Sequence, residues 1–331
     1  GVAIGASFAG RVAFTVTSGP GMALKTELLG LAIMSETPLV VIDVQRGGPS
    51  TGLPTKVEQS DLLSSLYGSP GDAPKVIIAP ATIEECFHCM ITARKIAEIF
   101  RCTVIVLSDA NLATGVQPFK RPVLDPDWQG TQPDLLPRPK GAKAMDWDPE
   151  TGLSQRVLPG QINGAYVATG LSHTDDSKVS YDPSVNQHSS AMRSRKLAVL
   201  QSTLQAPEIV GPKNADLMIV GWGSTKGAIE EAAEKARAEG LSVSTTHLTF
   251  LSPLQPGITD ILKSAKNVIA VEINYSDDLD EPFINEENCR RSQLAILLRS
   301  ATLVDVGSYS RVLGEPLCPG DILEAIRAKL A

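Results

Sequence analysis

Apolar positions along this chain fall into two kinds of pattern. Short continuous runs bounded by turn residues read as buried strands, and longer segments with three- and four-residue recurrence read as helices. On this basis strands are predicted at Arg11–Val16, Pro38–Val44, Lys75–Ala79 and Thr103–Leu107. Between them helices are predicted at Met22–Met34, about Glu58–Tyr67 and Thr82–Phe100. In the first helix Met22, Leu24, Leu28, Leu31 and Met34 are expected to share one broad buried face. Thr82 reads as an N-cap, with Glu84 and Glu85 in the first turn that follows. Repeated strand–helix–strand units predict a parallel sheet covered on both faces.

The pattern then breaks. From Gln117 to Glu150 the chain carries Pro118, Pro122, Pro126, Pro133, Pro137, Pro139 and Pro149 with little periodicity. Prolines at this density remove backbone donors and forbid helix interiors, so an extended arm near 117–160 is expected, with Trp128 and Trp147 docking it. After the polar run Ser172–Asp182, a basic helix is predicted at Ser190–Leu204. The pattern restarts near Asn214. Strands are expected at Asp216–Val220, Ser242–Thr249, Asn267–Ile273 and Thr302–Val306, with helices at Ser224–Glu239, near Glu286–Leu298 and at Gly320–Leu330. The fold class expected is α/β: a parallel-sheet unit over 1–205 with its arm, then a smaller α/β unit over 206–331.

Composition narrows the function classes. The 331 residues are 43% apolar and 20% charged, as in an ordinary globular protein. A formal net charge of -7 argues against nucleic acid or an anionic membrane as partner. No apolar run approaches the roughly 18 residues of a membrane span. Cys86, Cys89, Cys102, Cys289 and Cys318 are scattered and odd in number, which points to a reducing compartment, the cytoplasm by default. No signal peptide is expected. Gly1 to Gly10 reads as the end of a small-residue helix without its beginning, and with no initiator Met the chain is expected to be a fragment.

Candidate chemistry centres on the loop Gln45-Arg46-Gly47-Gly48-Pro49-Ser50-Thr51-Gly52 after the second predicted strand. Parallel sheets bind ligands at the carboxyl ends of their strands. Arg46 is the fixed positive charge there, and its planar fork suits both oxygens of a carboxylate. The same residues also suit a structural turn with a solvated arginine. Thr17-Ser18-Gly19-Pro20-Gly21, after the first strand, is a second turn able to aim hydroxyls at a ligand.

Other motifs are weaker. Gly221-Trp222-Gly223-Ser224-Thr225-Lys226-Gly227 follows a strand and opens a helix, but its spacing is not that of a dinucleotide fingerprint and no acidic ribose ligand follows. Tight strand–helix packing is the preferred reading. Cys86-Phe87-His88-Cys89 lies inside a predicted helix without a second ligand pair, so packed thiols are expected rather than a metal or redox site. His173 with Asp175 and Asp176 is a polar constellation that a solvated loop explains equally well. Spacing alone identifies no reaction and no metal site.

Several blocks nevertheless resemble one family in order and spacing: Thr15–Gly21, Glu27–Ala32, Val44–Thr55, Glu58-Gln59-x-Asp61-Leu62 and Leu107-Ser108-Asp109. Together they resemble the alpha subunit of 2-oxoacid:ferredoxin (acceptor) oxidoreductases. Ile219–Thr225 and His247-Leu248-x-Phe250-Leu251 are similar to that family's transketolase C-terminal-like domain. Val179–Pro183 is similar to the longer form, in which a gamma domain is fused ahead of alpha.

The resemblance implies a thiamine diphosphate pyrimidine-binding domain over 1–205 and oxidative decarboxylation of a 2-oxoacid to acyl-CoA and CO2. Electrons would pass to ferredoxin and the acyl group to coenzyme A. A partner beta subunit would hold the diphosphate, Mg2+ and a [4Fe–4S] cluster. By position Arg46 matches the family's carboxylate-binding arginine, and Thr17 and Ser18 match the loop lining the cofactor pocket. Thr51 and Thr55 are secondary candidates that position the Arg46 loop. The cofactor-activating glutamate is expected before Gly1, so no catalytic residue is visible and the chain alone is expected to be inactive. Two rivals stay open: another thiamine-dependent subunit of transketolase or 2-oxoacid dehydrogenase type, and a non-catalytic assembly module.

Overall fold

A computed structural model describes residues 1–331 apart from Leu124 and 130–133. The first half runs α1 (Val2–Phe8), β1 (Phe14–Thr17), α2 (Gly19–Met34), β2 (Leu39–Gln45), α3 (Leu62–Tyr67), β3 (Val76–Ile78), α4 (Ile83–Phe100), β4 (Thr103–Asp109) and α5 (Ala110–Thr114). After the arm come α6 (Pro183–Thr203), β5 (Ile209–Val210), β6 (Leu217–Trp222), α7 (Lys226–Ala238), β7 (Val243–Leu248) and β8 (Phe250–Ser252). The chain closes with α8 (Ile258–Lys263), β9 (Asn267–Glu272), α9 (Gln293–Thr302), β10 (Val306–Ser310) and α10 (Pro319–Leu330).

These strands build two five-stranded sheets, ordered β1-β2-β4-β3-β8 and β10-β9-β6-β7-β5. Each is parallel except for one antiparallel edge strand, β8 on β3 and β5 on β7. The α/β class expected from the alternating pattern is what forms. Strand β8 comes from beyond residue 205 yet completes the first sheet, with Phe250 opposite Ile78. Neither it, β5 nor α8 carries enough periodicity to be read from sequence.

One apolar cluster contains residues of both sheets: Val41, Ile77 and Leu107 with Met218, Val220, Trp222, Leu294 and Leu298. Two further clusters lie on the outer faces, under α4 and α6 in the first sheet and under α7 and α10 in the second. A buried polar staple joins the layers. Gln59 donates through Nε2 to the Trp222 carbonyl at 2.9 Å and accepts the Ile273 N–H at 3.1 Å. Glu272, fully buried, accepts from Trp222 Nε1 at 3.2 Å, Asn274 Nδ2 at 2.8 Å and the Leu294 N–H at 2.9 Å. It thereby fills the N-terminus of α9, where free N–H groups favour an anion.

Several sequence expectations are corrected; the helix expected at Ser190–Leu204 is α6, which starts earlier, at Pro183, where Asp182 accepts the Ser184 N–H at 2.8 Å. The helix expected near Glu286–Leu298 is α9, at Gln293–Thr302, because Asn285 Oδ1 takes the N–H groups of Glu287 and Asn288 in a local turn and Glu272 starts the helix later. The strand expected at Thr302–Val306 is accordingly β10, at Val306–Ser310: Thr302 belongs to α9, where its hydroxyl donates to Leu298 O at 2.6 Å. The helix expected from about Glu58 starts at Leu62, since the Gln59 N–H is committed to Ile273 O at 2.6 Å. In α2 the buried residues are Met22, Leu29, Ala32 and Ile33, while Leu24 is 89% exposed. That helix is apolar on most sides, so spacing could not select its inner face.

The arm has a single 3-10 turn, Pro126–Gln129, among its described residues; Pro133 lies outside them. It is docked at both tryptophans. Trp128 packs edge-on against Phe87 and His88 of α4. Trp147 Nε1 donates to Glu36 Oε1 at 2.7 Å, and Glu36 also holds Lys196 of α6 at 2.5 Å. Burial raises the Glu36 carboxyl, but Lys196 and Arg101 outweigh it and hold the group below its ordinary value.

Candidate functional site

The site forms where β1 and β2 end side by side. Their parallel register sets Thr17 beside Asp43, so the chain after Thr17 and the loop after Gln45 emerge at one edge. Alternation along β2 puts Asp43 and Gln45 on the face that also carries Val41. Arg46 follows immediately and is half-buried. Its Nε donates to Ser18 Oγ at 3.3 Å, and Nη1 donates to the Thr51 carbonyl.

The loop folds back on itself to hold that arginine. Leu53 N–H donates to Gly47 O at 2.9 Å, and Gly47 N–H to Lys56 O at 3.0 Å. Gly52 has φ 48, and a Cβ there would lie 2.0 Å from Gly47 O, so only glycine permits the turn. Glu58 Oε2 accepts the Gly48 N–H at 3.2 Å.

Beneath the loop lies an acidic corner. Asp61 N–H donates to Gln45 Oε1 at 3.1 Å, while Gln45 Nε2 is fixed on Ser108 O at 3.1 Å. The Asp61 carboxyl packs on Gly19, with oxygens 2.7 and 2.8 Å from where a Cβ would stand. Burial pushes this carboxyl up to about 6, and Glu58 adds to the shift while Arg46 opposes it. Asp43 is 0% exposed, and neither of its oxygens has a hydrogen-bond partner among the described residues. Burial and then the Asp61 charge push it up to about 8, with Lys25 opposing, so at neutral pH it holds its proton.

The candidate residues therefore divide. Arg46 and Ser18 meet through side chains, and Thr51 reaches Arg46 through its carbonyl. Thr17 donates to Ser18 O at 3.3 Å and lies against Gly21. Thr55 is exposed, at φ 64, and donates to Pro54 O at 2.6 Å, so its hydroxyl does not join the Arg46 group. Asp43, Gln45 and Asp61 were not singled out for the site from sequence. The available signal was a lone acid in the apolar run Val40-Val41-Ile42-Asp43-Val44, which burial makes costly unless it has a purpose.

The remaining motifs make packing and ion-pair contacts. Cys89 is buried in the outer cluster under α4, and burial pushes its thiol up to about 12. A Cβ on Gly221 would come within 2.3 Å of Ile229 Cδ1, the close strand–helix approach that glycine allows. Asp175 pairs with Lys143 and Asp176 with Lys178, while His173 Nδ1 contacts Leu171 O at 2.9 Å; they do not converge. Among the described residues no three His, Cys, Asp or Glu side chains are placed to hold a metal. A cavity of about 120 Å3 between β5, β7 and the start of α7 shares no residue with the Arg46 loop.

Comparisons with known proteins place the chain in a family. Residues 1–185 match the family described as pyruvate flavodoxin/ferredoxin oxidoreductase, thiamine diphosphate-binding. Over 339 aligned residues the chain is 37% identical to the 2-oxoglutarate oxidoreductase subunit KorA of Mycobacterium tuberculosis, covering 99% of this chain and 48% of that protein. It is 30% identical to the 2-oxoglutarate synthase subunit KorA of Methanocaldococcus jannaschii, covering 89% of this chain and 78% of that one. The solved 2-oxoglutarate:ferredoxin oxidoreductase of Magnetococcus marinus, with 2-oxoglutarate, coenzyme A and succinyl-CoA bound, superposes with TM-score 0.88 at 33% identity, covering 100% of this chain and 55% of that one. A split-gene transketolase at 15% identity and TM-score 0.50, covering 99% of this chain and 79% of that one, shares the fold. The chain thus spans about half the length of several of the relatives it matches. It belongs to the alpha-subunit family of the 2-oxoacid:ferredoxin oxidoreductases.

Proposed function

We propose that this chain is the part of a 2-oxoacid:ferredoxin oxidoreductase that receives the substrate carboxylate and faces the pyrimidine end of thiamine diphosphate. The observation that carries the reading is Arg46, half-buried at the carboxyl end of β2 and braced by Ser18 and Thr51. On this reading residues 1–205 form the pyrimidine-facing unit and 206–331 the transketolase C-terminal-like unit. The family match to a thiamine diphosphate-binding region over residues 1–185 supports the cofactor. The donor set supports it too. Thr17, Ser18 and the adjacent protonated Asp43 are neutral polar groups suited to a heterocycle, and the diphosphate with its Mg2+ falls to a partner beta subunit.

Thiamine diphosphate, when bound, supplies the centre at which a 2-oxoacid loses CO2. The protein side chains supply orientation. A guanidinium fixed at two points presents its free edge to the substrate carboxylate, which sets the keto carbon in one position. That carboxylate becomes neutral CO2, so the charge pair is dissolved by the reaction itself. Tight binding of the acid therefore does not become tight binding of the product.

Val12, Phe14, Val16 and Leu24 are more than half exposed on and beside the β1 edge. Apolar residues gathered at an open sheet edge support a hetero-oligomer with the beta subunit. The [4Fe–4S] cluster, ferredoxin contact and coenzyme A site are assigned to the assembled enzyme, placed in the cytoplasm. No described helix is long and apolar enough to cross a membrane. The test is to assemble the alpha and beta subunits and supply 2-oxoacids with coenzyme A. Reduction of a low-potential ferredoxin but not NAD is expected; reduction of NAD alone would move the chain to the dehydrogenase class.

A further inference from the structure

We propose that Asp61 is the resident counter-ion of Arg46 and that binding of an oxoacid carboxylate to Arg46 draws one proton from solvent onto Asp61. This rests on the assignment of Arg46 as carboxylate binder and adds to it a positioning residue and a proton count.

The Ser18–Gly19 turn carries contacts of both side chains. Asp61 stands against Gly19, the residue after Ser18, whose hydroxyl accepts from Arg46 Nε. Its backbone is fixed by Gln45, and the next residue, Leu62, is fully buried, which anchors the segment that carries the carboxyl. Yet Asp61 and Arg46 form no ion pair within 4 Å among the described residues. Arg46 spends Nε on Ser18 and Nη1 on Thr51, and Nη2 makes no hydrogen bond to a described residue. The guanidinium thus feels a nearby carboxylate while keeping an edge for an incoming one.

The corner has more negative than positive charge. Glu58, on Asp61's own segment, raises its carboxyl and Arg46, in the loop after β2, lowers it; Asp61 in turn raises Asp43 of β2, which Lys25 of α2 opposes. Asp43 is neutral at pH 7, which leaves Asp61 as the group that titrates near physiological pH, at about 6 in the free site. A carboxylate arriving on Arg46 occupies the cation that had favoured ionised Asp61 and adds a like charge beside it. Both effects favour the protonated form, so Asp61 carboxylate plus one solvent proton becomes the carboxylic acid. No other bond changes.

Linkage fixes the sign. Bound and free enzyme are both protonated at Asp61 below about pH 6, and affinity is flat there. Above it, only the bound form keeps the proton, so the oxoacid KM rises with pH, at most about tenfold per unit. Isosteric Asp61→Asn removes the counter-ion, and its KM is expected to be lower and independent of pH from 6 to 8. Asp61→Glu restores a carboxyl and a pH-dependent KM.

The experiment measures KM and kcat for a 2-oxoacid in the assembled alpha–beta enzyme from pH 6 to 8, for wild type and both variants. Calorimetric titration with oxamate, in two buffers of different ionisation enthalpy, counts protons directly. The expected result is a pH slope carried by KM rather than kcat, absent in Asp61→Asn, with uptake approaching one proton in wild type. The same KM slope in Asp61→Asn as in wild type would overturn the proposal, as would zero proton uptake by wild type, which decides the matter even if a variant fails to fold. Failure of wild type to turn over any 2-oxoacid would sink the functional reading, whereas turnover with a pH-independent KM would sink only this inference.

Discussion

Asp43→Asn removes a large electrostatic cost. The native carboxyl holds its proton up to about pH 8, whereas the unfolded chain releases it near the ordinary value of 3.8. Between those values the unfolded state binds fewer protons, so stability falls as pH rises. At about 1.4 kcal/mol per unit, the roughly three units between 3.8 and pH 7 amount to a penalty on the order of 4 kcal/mol. The penalty is absent near pH 4, fully developed at pH 8, and constant above. An Asn has nearly the same shape and never ionises, so it escapes the penalty while still burying a polar group. Wild type and variant should therefore melt together near pH 4 and diverge steadily to pH 8. At pH 7 the variant should be the more stable by up to about 4 kcal/mol, a rise of several degrees in Tm. Thermal unfolding followed by near-ultraviolet circular dichroism at unit steps of pH reads this out. Parallel curves with a constant offset would show that Asp43 ionises normally and that its burial is not costly.

Two other outcomes follow from the packing. Changing Cys86 and Cys89 together to Ala should cost on the order of 1 kcal/mol per site and leave ferredoxin reduction by the assembled enzyme nearly unchanged; loss of activity in a folded double variant would make the pair functional. Glu272→Ala leaves the Leu294 N–H and Trp222 Nε1 without their buried acceptor, and should destabilise the chain by about 3 kcal/mol, measured as a shift in denaturation midpoint at constant slope.

Sequence patterning revealed the elements that alternate cleanly. β2 and β4 are mostly apolar runs, and α4 carries its own N-cap in Thr82, whose hydroxyl accepts the Glu85 N–H at 3.1 Å. The pattern failed where long-range partners decide. β8 is three residues whose only reason to be a strand is the edge of β3, and α9 begins where Glu272, about twenty residues earlier, supplies its cap. In α2, apolar on most sides, the buried face is chosen by the sheet rather than by spacing. The site shows the same division. Arg46 was legible because it follows a strand in a glycine-rich loop, whereas the contacts of Ser18, Asp43 and Asp61 arise only when two strand ends and the start of α2 come together.

The central claim is that Arg46 holds the substrate carboxylate, and Arg46→Ala in the assembled alpha–beta enzyme tests it most directly. Deleting one partner of a hydrogen-bonded charge pair in a desolvated site costs roughly 2–5 kcal/mol. That predicts a loss of about 30- to 5,000-fold in kcat/KM for every 2-oxoacid. Arg46→Lys should recover only part of it, because the ammonium keeps the charge without the planar fork. The corresponding aldehyde, which offers no carboxylate, should lose little. Equal losses for aldehyde and oxoacid would contradict the account and make Arg46 a brace for the loop between Gly47 and Thr55.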